Sequence, residues 1–187
     1  MLTNFQIEKL RFKPSKFYFR ITILPTHTLL IMIVLLIILP GCRAKDSNNL
    51  NQMQASCVQD SVRKMATAIV ADVTRDGPKA WLHYFTQSPG FFMASGGKLV
   101  FPNYDSAAAF VNNFAAGVRS IQLIWSDLNV DPLTQNFAVI RASFHEVITN
   151  TSGSIMPVRG YFTGLAEHTS AGWLLRNLHW SIIGPGQ

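Results

Sequence analysis

The sequence predicts an α+β domain in which N-terminal helices pack on a strongly curved antiparallel sheet, forming a cone with a pocket in its mouth. Apolar residues recur every three or four positions over residues 57–74 and again over about 106–117, which is typical of helices. Apolar and polar residues alternate over residues 120–131 and 137–148, which is typical of strands. Only short turns separate the later strands, so they form an antiparallel meander with the helices collected on one face.

A targeting segment precedes this domain. Residues 1–41 carry five basic side chains against one acidic, and they end in a run of twelve apolar residues, 29–40. Such a basic start followed by a short apolar run is typical of a secretory signal. The stop Leu39-Pro40-Gly41-Cys42 resembles a bacterial lipoprotein signal, in which the cysteine is lipidated and becomes the first mature residue. An uncleaved signal anchor is the alternative, because about twenty residues from Ile21 onward could span a bilayer.

The lipoprotein interpretation predicts where the chain works. Acyl chains on Cys42 would tether it to a membrane, since several chains together bind stably. Arg43 is not the acidic residue that, in similar lipoproteins, favours the inner membrane. We therefore expect a protein of the bacterial cell envelope, lipid-anchored in the outer membrane and facing the periplasm.

The charge of the chain argues against a nucleic-acid partner. The 187 residues carry a net charge of +6, but from Cys42 onward 11 basic residues face 9 acidic ones. The mature part therefore has no basic stripe that could neutralise phosphates. Its histidines are scattered without metal-ligand spacing, and no phosphate-binding or dinucleotide motif occurs, so we expect no metal and no cofactor.

The mature chain begins with a tether and a lone thiol. Residues 42–56 are polar, rich in Asn and Gln, and without hydrophobic period, so they are expected to form a flexible tether. Cys57 follows at the start of the first helix and is expected to be a small buried or half-buried residue rather than a nucleophile. A Cys42–Cys57 disulfide is the alternative if Cys42 carries no lipid.

Helix signals delimit the first two helices. The helix over residues 57–74 begins after Ser56, an N-cap residue type, and ends at the turn signal Asp76-Gly77. Pro78 suits the first turn of a second, short and aromatic helix that runs to Phe85.

A hairpin and a third helix come next. Gly96-Gly97 lies between two apolar runs and predicts a tight β-hairpin over residues 91–101. The third helix, over about residues 106–117, is capped by Asp105 or Ser106.

Four longer strands complete the chain, over residues 120–131, 137–148, 159–169 and 173–183. Alternation places Trp125 and Leu128 on opposite faces of the first of them. His145 and Glu146 are neighbours on the second and point to opposite faces, so at most one of them faces a pocket. Because an isolated buried carboxylate is costly, Glu146 is expected to be solvated or paired.

Several short stretches occur in an order that resembles the nuclear transport factor 2-like superfamily, in particular its SnoaL-like or ketosteroid-isomerase-like branch. They are W-x-x-Y-F (Trp81, Tyr84, Phe85), Gly96-Gly97, G-W-L-L (172–175) and the closing H-W-S (179–181). The resemblance covers roughly residues 57–183 and leads us to assign residues 57–187 as one such domain. It implies a curved sheet around a deep apolar cavity, often in a homodimer, and it does not by itself deliver a function.

The resemblance orients the last strand so that the face of Asn177 and His179 points into the cavity. Tyr161, Thr163 and Glu167 alternate together on the preceding strand and are expected to face the same space. His179 can be a hydrogen-bonded core residue, a ligand contact or an acid–base group, since histidine titrates near neutral pH.

Aromatic and apolar side chains complete the predicted pocket. Trp81 and Tyr84 lie on the short helix that closes the cone, Met93 lies on the hairpin, and Trp125 lies on an early strand. Tyr84 is expected to pack with its hydroxyl at the rim.

Two functions remain open on the sequence. One is a non-catalytic module that binds a small apolar ligand or a protein partner; it is favoured because isomerase-type acids are missing from the late strands. The other is a small isomerase, dehydratase or cyclase that uses His179 or Glu167 as base and Tyr84 as donor. A third, structural option is a dimer whose cavity is filled by Phe91, Phe92, Met93 and Trp125.

Overall fold

Six strands form one curved, open sheet in the computed structural model, which describes residues 50–183. In chain order the elements are α1 (Gln52–Asp76), a 3₁₀ helix (Pro78–His83), β1 (Phe92–Ser95), β2 (Lys98–Phe101), α2 (Tyr104–Gly117), β3 (Val118–Pro132), β4 (Phe137–Asn150), β5 (Ile155–Thr169) and β6 (Gly172–Ile182). The strand order is β2-β1-β6-β5-β4-β3, and every pair is antiparallel except β1–β6. The predicted α+β class and its curved, mainly antiparallel sheet are confirmed.

Helix α1 starts earlier than the sequence predicts. Asn51, not Ser56, is the N-cap, and it forms a capping box with Gln54 through hydrogen bonds of 2.9 and 3.0 Å. The last five residues of the predicted tether are therefore helical, whereas the signal segment and Cys42 lie outside the described residues. The helix buries one apolar face against the sheet, formed by Val58, Val62, Met65, Ala66, Ile69 and Val73.

The other short elements match their predictions with small shifts. The second helix is a single 3₁₀ segment that ends at His83 rather than Phe85. The predicted hairpin forms β1 and β2, and Gly96 and Gly97 supply its turn with positive φ angles of 56° and 73°. Helix α2 begins two residues early because Asn103 caps it, in place of Asp105 or Ser106.

A β-bulge interrupts the alternation of β3. The register against β4 shifts between Ser126 and Asn129, and Asp127 adopts a φ of 55°. The extra residue changes the side to which later side chains point, so Leu128 packs against the core as Trp125 does. The prediction that these two residues lie on opposite faces was wrong.

The two faces of the sheet differ in what covers them. The face that carries Ile121, Phe144 and Leu178 packs against α1 and the 3₁₀ helix, and we call it the cavity face; the opposite one is the outer face. None of the helices between residues 50 and 183 has the length and apolar run that a membrane crossing requires.

Candidate functional site

An apolar cavity of about 400 Å³ opens between the cavity face, the hairpin and α2. Aromatic rings supply much of its wall, namely Trp81, Phe85, Phe101, Phe110, Phe114 and Trp180. Aliphatic side chains and one proline supply most of the rest, namely Pro78, Met93, Val100, Val111, Ile121, Ile148, Val158 and Ile182. Ser95 and Glu146 are the two polar residues of the wall. The site can therefore bury an apolar ligand and offer it very few polar groups.

Glu146 lies on the cavity face of β4, surrounded by apolar side chains. Its cross-strand neighbours are Leu123 on β3 and Val158 on β5, and along its own strand Phe144 and Ile148 share its face. The residue is only 9% exposed. Its carboxyl group has no hydrogen-bond or ion-pair partner within residues 50–183. Glu146 is thus a buried acid whose only open side is the cavity.

Burial raises the pKa of Glu146 to about 7, because the ionised form loses its hydration and no neighbouring charge replaces it. At neutral pH the carboxyl group is therefore close to half ionised. Such a group can donate a hydrogen bond, accept one, or pair with a cation, depending on what enters the cavity.

Ser95 is already engaged by the protein. Its hydroxyl donates a hydrogen bond of 2.7 Å to the backbone oxygen of Trp180. This bond links β1 to β6, where the two strands run parallel. Ser95 can still accept a hydrogen bond from a ligand, but its proton is committed to the fold.

Packed aromatic rings form the base of the cavity. Trp81 meets Trp180 edge-on with ring centroids 5.3 Å apart, and Trp180 lies 5.0 Å from Phe162. Trp125 packs behind them, and its indole nitrogen donates to the backbone oxygen of Ala66 at 3.2 Å. Trp125 therefore supports the wall from the core, whereas Trp81 and Trp180 face the cavity.

The predicted pocket residues divide into three groups: those that line the cavity, those that lie behind or beside its wall, and those on the outer face. Trp81 and Met93 line it. Trp125 lies behind the wall. Tyr84 does not line the cavity either. Its hydroxyl points to α1, where it donates a hydrogen bond to Asp72. Burial, and then this bond to a carboxylate, raise the pKa of Tyr84 to about 12, so it holds its proton firmly.

His179 and its predicted companions lie on the outer face. His179 is exposed and pairs across strands with Thr163, while its neighbour Trp180 takes the cavity side. Two of its predicted companions have polar partners there. Tyr161 accepts a hydrogen bond from Arg141 at 3.3 Å, and Glu167 pairs with Arg176 at 3.3 Å.

Asn177 is occupied elsewhere as well, because its side-chain amide donates to the backbone oxygen of Gly90 at 2.8 Å. The expectation that the His179 face of β6 points into the cavity was therefore wrong. The polar residues that were predicted to converge, His179, Tyr84 and Glu167, do not share a common point in the cavity.

The expectation for Glu146 was also wrong, since it is neither solvated nor paired with another described residue. A sequence signal for it exists. Between residues 138 and 148, the residues that alternate with Glu146 are all apolar: Ala138, Ile140, Ala142, Phe144 and Ile148. A single carboxyl group within such an apolar series marks the buried face of the strand.

The remaining sequence candidates do not form a second site. Cys57 is exposed on α1 rather than half-buried, and its alternative disulfide partner lies outside the described residues. Within residues 50–183 no cluster of three or more metal-ligating side chains exists. Phe91 is buried in the core and Phe92 is 41% exposed on the outer side of β1, so only Met93 of that apolar run projects into the cavity.

Comparisons with known proteins identify the fold. No protein-family model and no curated protein matches the sequence. A nuclear transport factor 2-like superfamily protein from Salmonella enterica is similar in structure, with a TM-score of 0.59 at 14% identity over 71% of this chain and 95% of that one.

Two further structures are similar over most of their length. A provisionally assigned scytalone dehydratase from Novosphingobium aromaticivorans has a TM-score of 0.58 at 9% identity, over 67% of this chain and 83% of that one. A provisionally assigned dehydratase of the same superfamily from Streptomyces avermitilis has a TM-score of 0.58 at 15% identity, over 69% and 98%. Residues 50–183 therefore adopt the nuclear transport factor 2-like fold. Because this fold carries many functions, the function has to be argued from the cavity itself.

Proposed function

We propose that this domain binds a small, largely apolar ligand in the cavity, with Glu146 as its polar contact. The observation that carries the proposal is an open apolar cavity with one unpartnered carboxyl group in its wall. An unused cavity of this kind would cost stability, because its lining lacks packing partners and Glu146 lacks a hydrogen bond. A ligand that fills the space and meets the carboxyl group offsets both costs.

The size and lining of the cavity suit such a ligand. A volume of about 400 Å³ falls in the range of roughly 300–1,000 Å³ that small-molecule sites occupy. Burial of apolar ligand surface contributes roughly 25 cal/mol per Å², so the apolar wall supplies the affinity. Glu146 then fixes the orientation of the ligand.

Blocking the mouth tests this proposal. Val100 on β2 lines the cavity and is 39% exposed, so Val100→Trp places a large ring across the opening without disturbing the core. The adjacent Leu99 is 60% exposed and does not line the cavity, so Leu99→Trp is a matched control. The probe is naphthalene, and equilibrium dialysis measures its binding to the full-length protein, because each variant adds a tryptophan that would change a fluorescence signal.

We expect naphthalene to bind the wild type and Leu99→Trp equally. Val100→Trp should bind it at least about tenfold more weakly, a loss of about 1.4 kcal/mol. Equal binding by all three proteins, or no binding by the wild type, would remove the cavity as the ligand site.

A catalytic role is a second candidate, and the raised pKa of Glu146 favours it. A carboxyl group that titrates near 7 is suited to act as a general base at neutral pH. It would take a proton from a carbon acid bound in the cavity, as in an isomerase or dehydratase. This candidate lacks a second polar donor for the developing charge, because the hydroxyl of Ser95 already donates its hydrogen bond to the backbone oxygen of Trp180 and Tyr84 lies outside the cavity. Turnover of an apolar carbonyl compound that Glu146→Gln abolishes, while naphthalene binding persists, would establish it.

We further propose that Cys42 is lipidated and holds the domain at a membrane of the bacterial cell envelope, on the periplasmic side. This proposal rests on the signal-like residues 1–41 and the Leu39-Pro40-Gly41-Cys42 stop. The intact mass of the membrane-extracted protein tests it. Cleavage before Cys42 together with added acyl mass supports the proposal, and a full-length unmodified chain contradicts it. Native mass spectrometry of the same sample also tests the homodimer that the family resemblance implies.

A further inference from the structure

We infer that the ligand is an organic cation, an apolar amine whose protonated nitrogen pairs with the carboxylate of Glu146. The inference rests on the proposed function and adds to it the chemical class of the ligand. It is carried by two properties of the cavity: the lack of any countercharge for Glu146, and the abundance of aromatic rings around the space into which that side chain opens.

The first property is electrostatic. Six of the elements around the cavity contribute only apolar side chains to its wall: the 3₁₀ helix, β2, α2, β3, β5 and β6. β1 contributes Met93 and the hydroxyl of Ser95, and β4 contributes Ile148 besides Glu146 itself. No other titratable side chain faces Glu146 from these elements, and burial alone accounts for the raised pKa of Glu146. A positively charged ligand would supply the countercharge for Glu146 that the cavity wall lacks.

The second property is the aromatic wall. Trp81 and Trp180 flank the base, while Phe110 lies between Phe101 and Phe114 near the mouth, at ring-centroid distances of 5.1 and 5.9 Å. Indole and phenyl rings attract a cation electrostatically through their faces, and the attraction is larger where water is excluded. A carboxylate with surrounding aromatic rings therefore favours ammonium groups.

Other ligand classes fit less well. An anionic ligand would meet no positive charge in the wall and would be repelled by Glu146. A neutral ligand that accepts a hydrogen bond, such as a ketone, requires Glu146 in its protonated form. An amine and a neutral acceptor thus require opposite protonation states of the same carboxyl group, whereas a neutral donor can form a hydrogen bond with either form.

This opposition makes pH the discriminating variable. As pH rises through about 7, Glu146 becomes ionised, so affinity for an amine rises until the amine itself loses its proton. Affinity for a neutral acceptor falls over the same interval, because the carboxyl group loses the proton that it would donate. A purely apolar ligand shows no rise with pH.

The experiment compares two probes of one shape, naphthylmethylamine and naphthylmethanol, by calorimetry on the full-length protein at pH about 6 and about 8. With a pKa of about 7, the ionised fraction of Glu146 rises about tenfold over this interval, so the amine should bind about tenfold more tightly at the higher pH. The alcohol can donate to the ionised carboxyl group or accept from the protonated one, so its affinity should change much less between the two pH values than that of the amine.

Two variants assign the effect to the carboxyl group. Glu146→Gln keeps the shape of the side chain. It should bind the amine at least about tenfold more weakly and without pH dependence, while its affinity for the alcohol should stay the same. Glu167→Gln removes a carboxyl group on the outer face and should change neither the affinity for the amine nor its pH dependence. The wild-type pH comparison stands without any variant, so the test does not depend on the folding of Glu146→Gln.

The outcomes distinguish an error in the cation assignment from an error in the proposed ligand cavity. Binding of both probes without an amine preference at the higher pH overturns the cation assignment and leaves the ligand cavity standing. Amine binding that Glu146→Gln does not weaken also overturns the assignment. Failure of both probes to bind overturns the proposed function, and the cation assignment with it.

Discussion

The carboxyl group of Glu146 and the imidazole of His179 lie on opposite faces of the same sheet. Glu146 pairs with Val158 of β5 on the cavity face, whereas His179 pairs with Thr163 of β5 on the outer face. The two side chains cannot act on one ligand. The cavity wall contains one carboxyl group, that of Glu146, and the exposed His179 does not reach it.

The buried position of Glu146 predicts a stability that depends on pH. In the unfolded chain this carboxyl group ionises near its ordinary pKa of 4.5, whereas in the folded protein it keeps its proton until about pH 7. Between these values the folded state binds more protons, so the free energy of unfolding decreases as pH rises. The glutamine in Glu146→Gln does not titrate. The free energy of unfolding of this variant minus that of the wild type should therefore be about 3 kcal/mol larger above pH about 7 than near pH 4.

Chemical denaturation of both proteins at several pH values measures this difference. Other titrating groups are common to the two chains and cancel in the comparison. Glu167→Gln removes a carboxyl group on the outer face, away from the cavity, and serves as the control for the loss of one carboxyl group. A constant difference between Glu146→Gln and the wild type from acid to neutral pH would mean that Glu146 is solvated.

Removal of His179 should leave ligand binding intact. His179→Ala changes an exposed side chain on the outer face, so naphthalene affinity should remain within about twofold of the wild type, or ~0.4 kcal/mol. Trp180→Ala removes the adjacent side chain, which lines the cavity and packs against Trp81, and should weaken binding much more. If His179→Ala abolished binding and Trp180→Ala did not, the assignment of faces on β6 would be incorrect.

Gly160 on β5 should tolerate no side chain. A Cβ atom there would lie 1.9 Å from the backbone oxygen of Ser181 and 2.8 Å from a ring carbon of Phe144. Gly160→Ala should therefore destabilise the domain by at least about 1–3 kcal/mol, since the backbone of β6 must move. Gly117→Ala at the end of α2 meets no atom within 4 Å and is the matched control. Thermal unfolding measures both, and equal melting temperatures would contradict the close approach of β5 and β6.

The hydrogen bond from Tyr84 to Asp72 should act on stability and not on ligand binding. This bond, followed by those from Arg75, lowers the pKa of Asp72 below its ordinary 3.8. Its contribution is therefore present above pH about 4 and is lost as pH falls through the lowered value. Tyr84→Phe should unfold at a lower temperature than the wild type at neutral pH, and the gap should narrow in acid.

A control hydroxyl is available on the outer face. Tyr161→Phe removes the exposed hydroxyl that accepts from Arg141 and should not change the melting temperature. Neither variant should alter naphthalene affinity, because Tyr84 and Tyr161 are both outside the cavity wall. A large loss of binding in Tyr84→Phe would show that its hydroxyl reaches the ligand.

With Gly96-Gly97 marking the turn of the hairpin, hydrophobic periodicity was sufficient to predict the long strands and the helices. It could not predict the bulge near Asp127, because a bulge adds one residue without any compositional mark. The observed first residues of α1 and α2 differ from the predicted ones for a similar reason. Asn51 and Asn103 compete with nearby Ser and Asp residues as caps, and only the tertiary position of each helix decides between them.

The cavity itself was predicted, but its polar group was not. Alternation states which residues share a face and does not state which face turns inward. On β6 the choice followed the family resemblance and placed His179 inside, although Leu178, Trp180 and Ile182 form the more apolar series. Hydrophobic burial decided the orientation, and the same rule brings Glu146 inward with its apolar neighbours on β4.

The most direct test of this account is the pKa of Glu146, measured by NMR titration of its side-chain carboxyl carbon in the full-length protein and assigned by comparison with Glu146→Gln. A carboxyl group in the wall of an apolar cavity, without a countercharge, should titrate at about 7. A midpoint near its ordinary value of 4.5 in the ligand-free protein would mean that Glu146 is hydrated or paired within the protein, and it would contradict the burial of an unpartnered carboxyl group in the cavity wall.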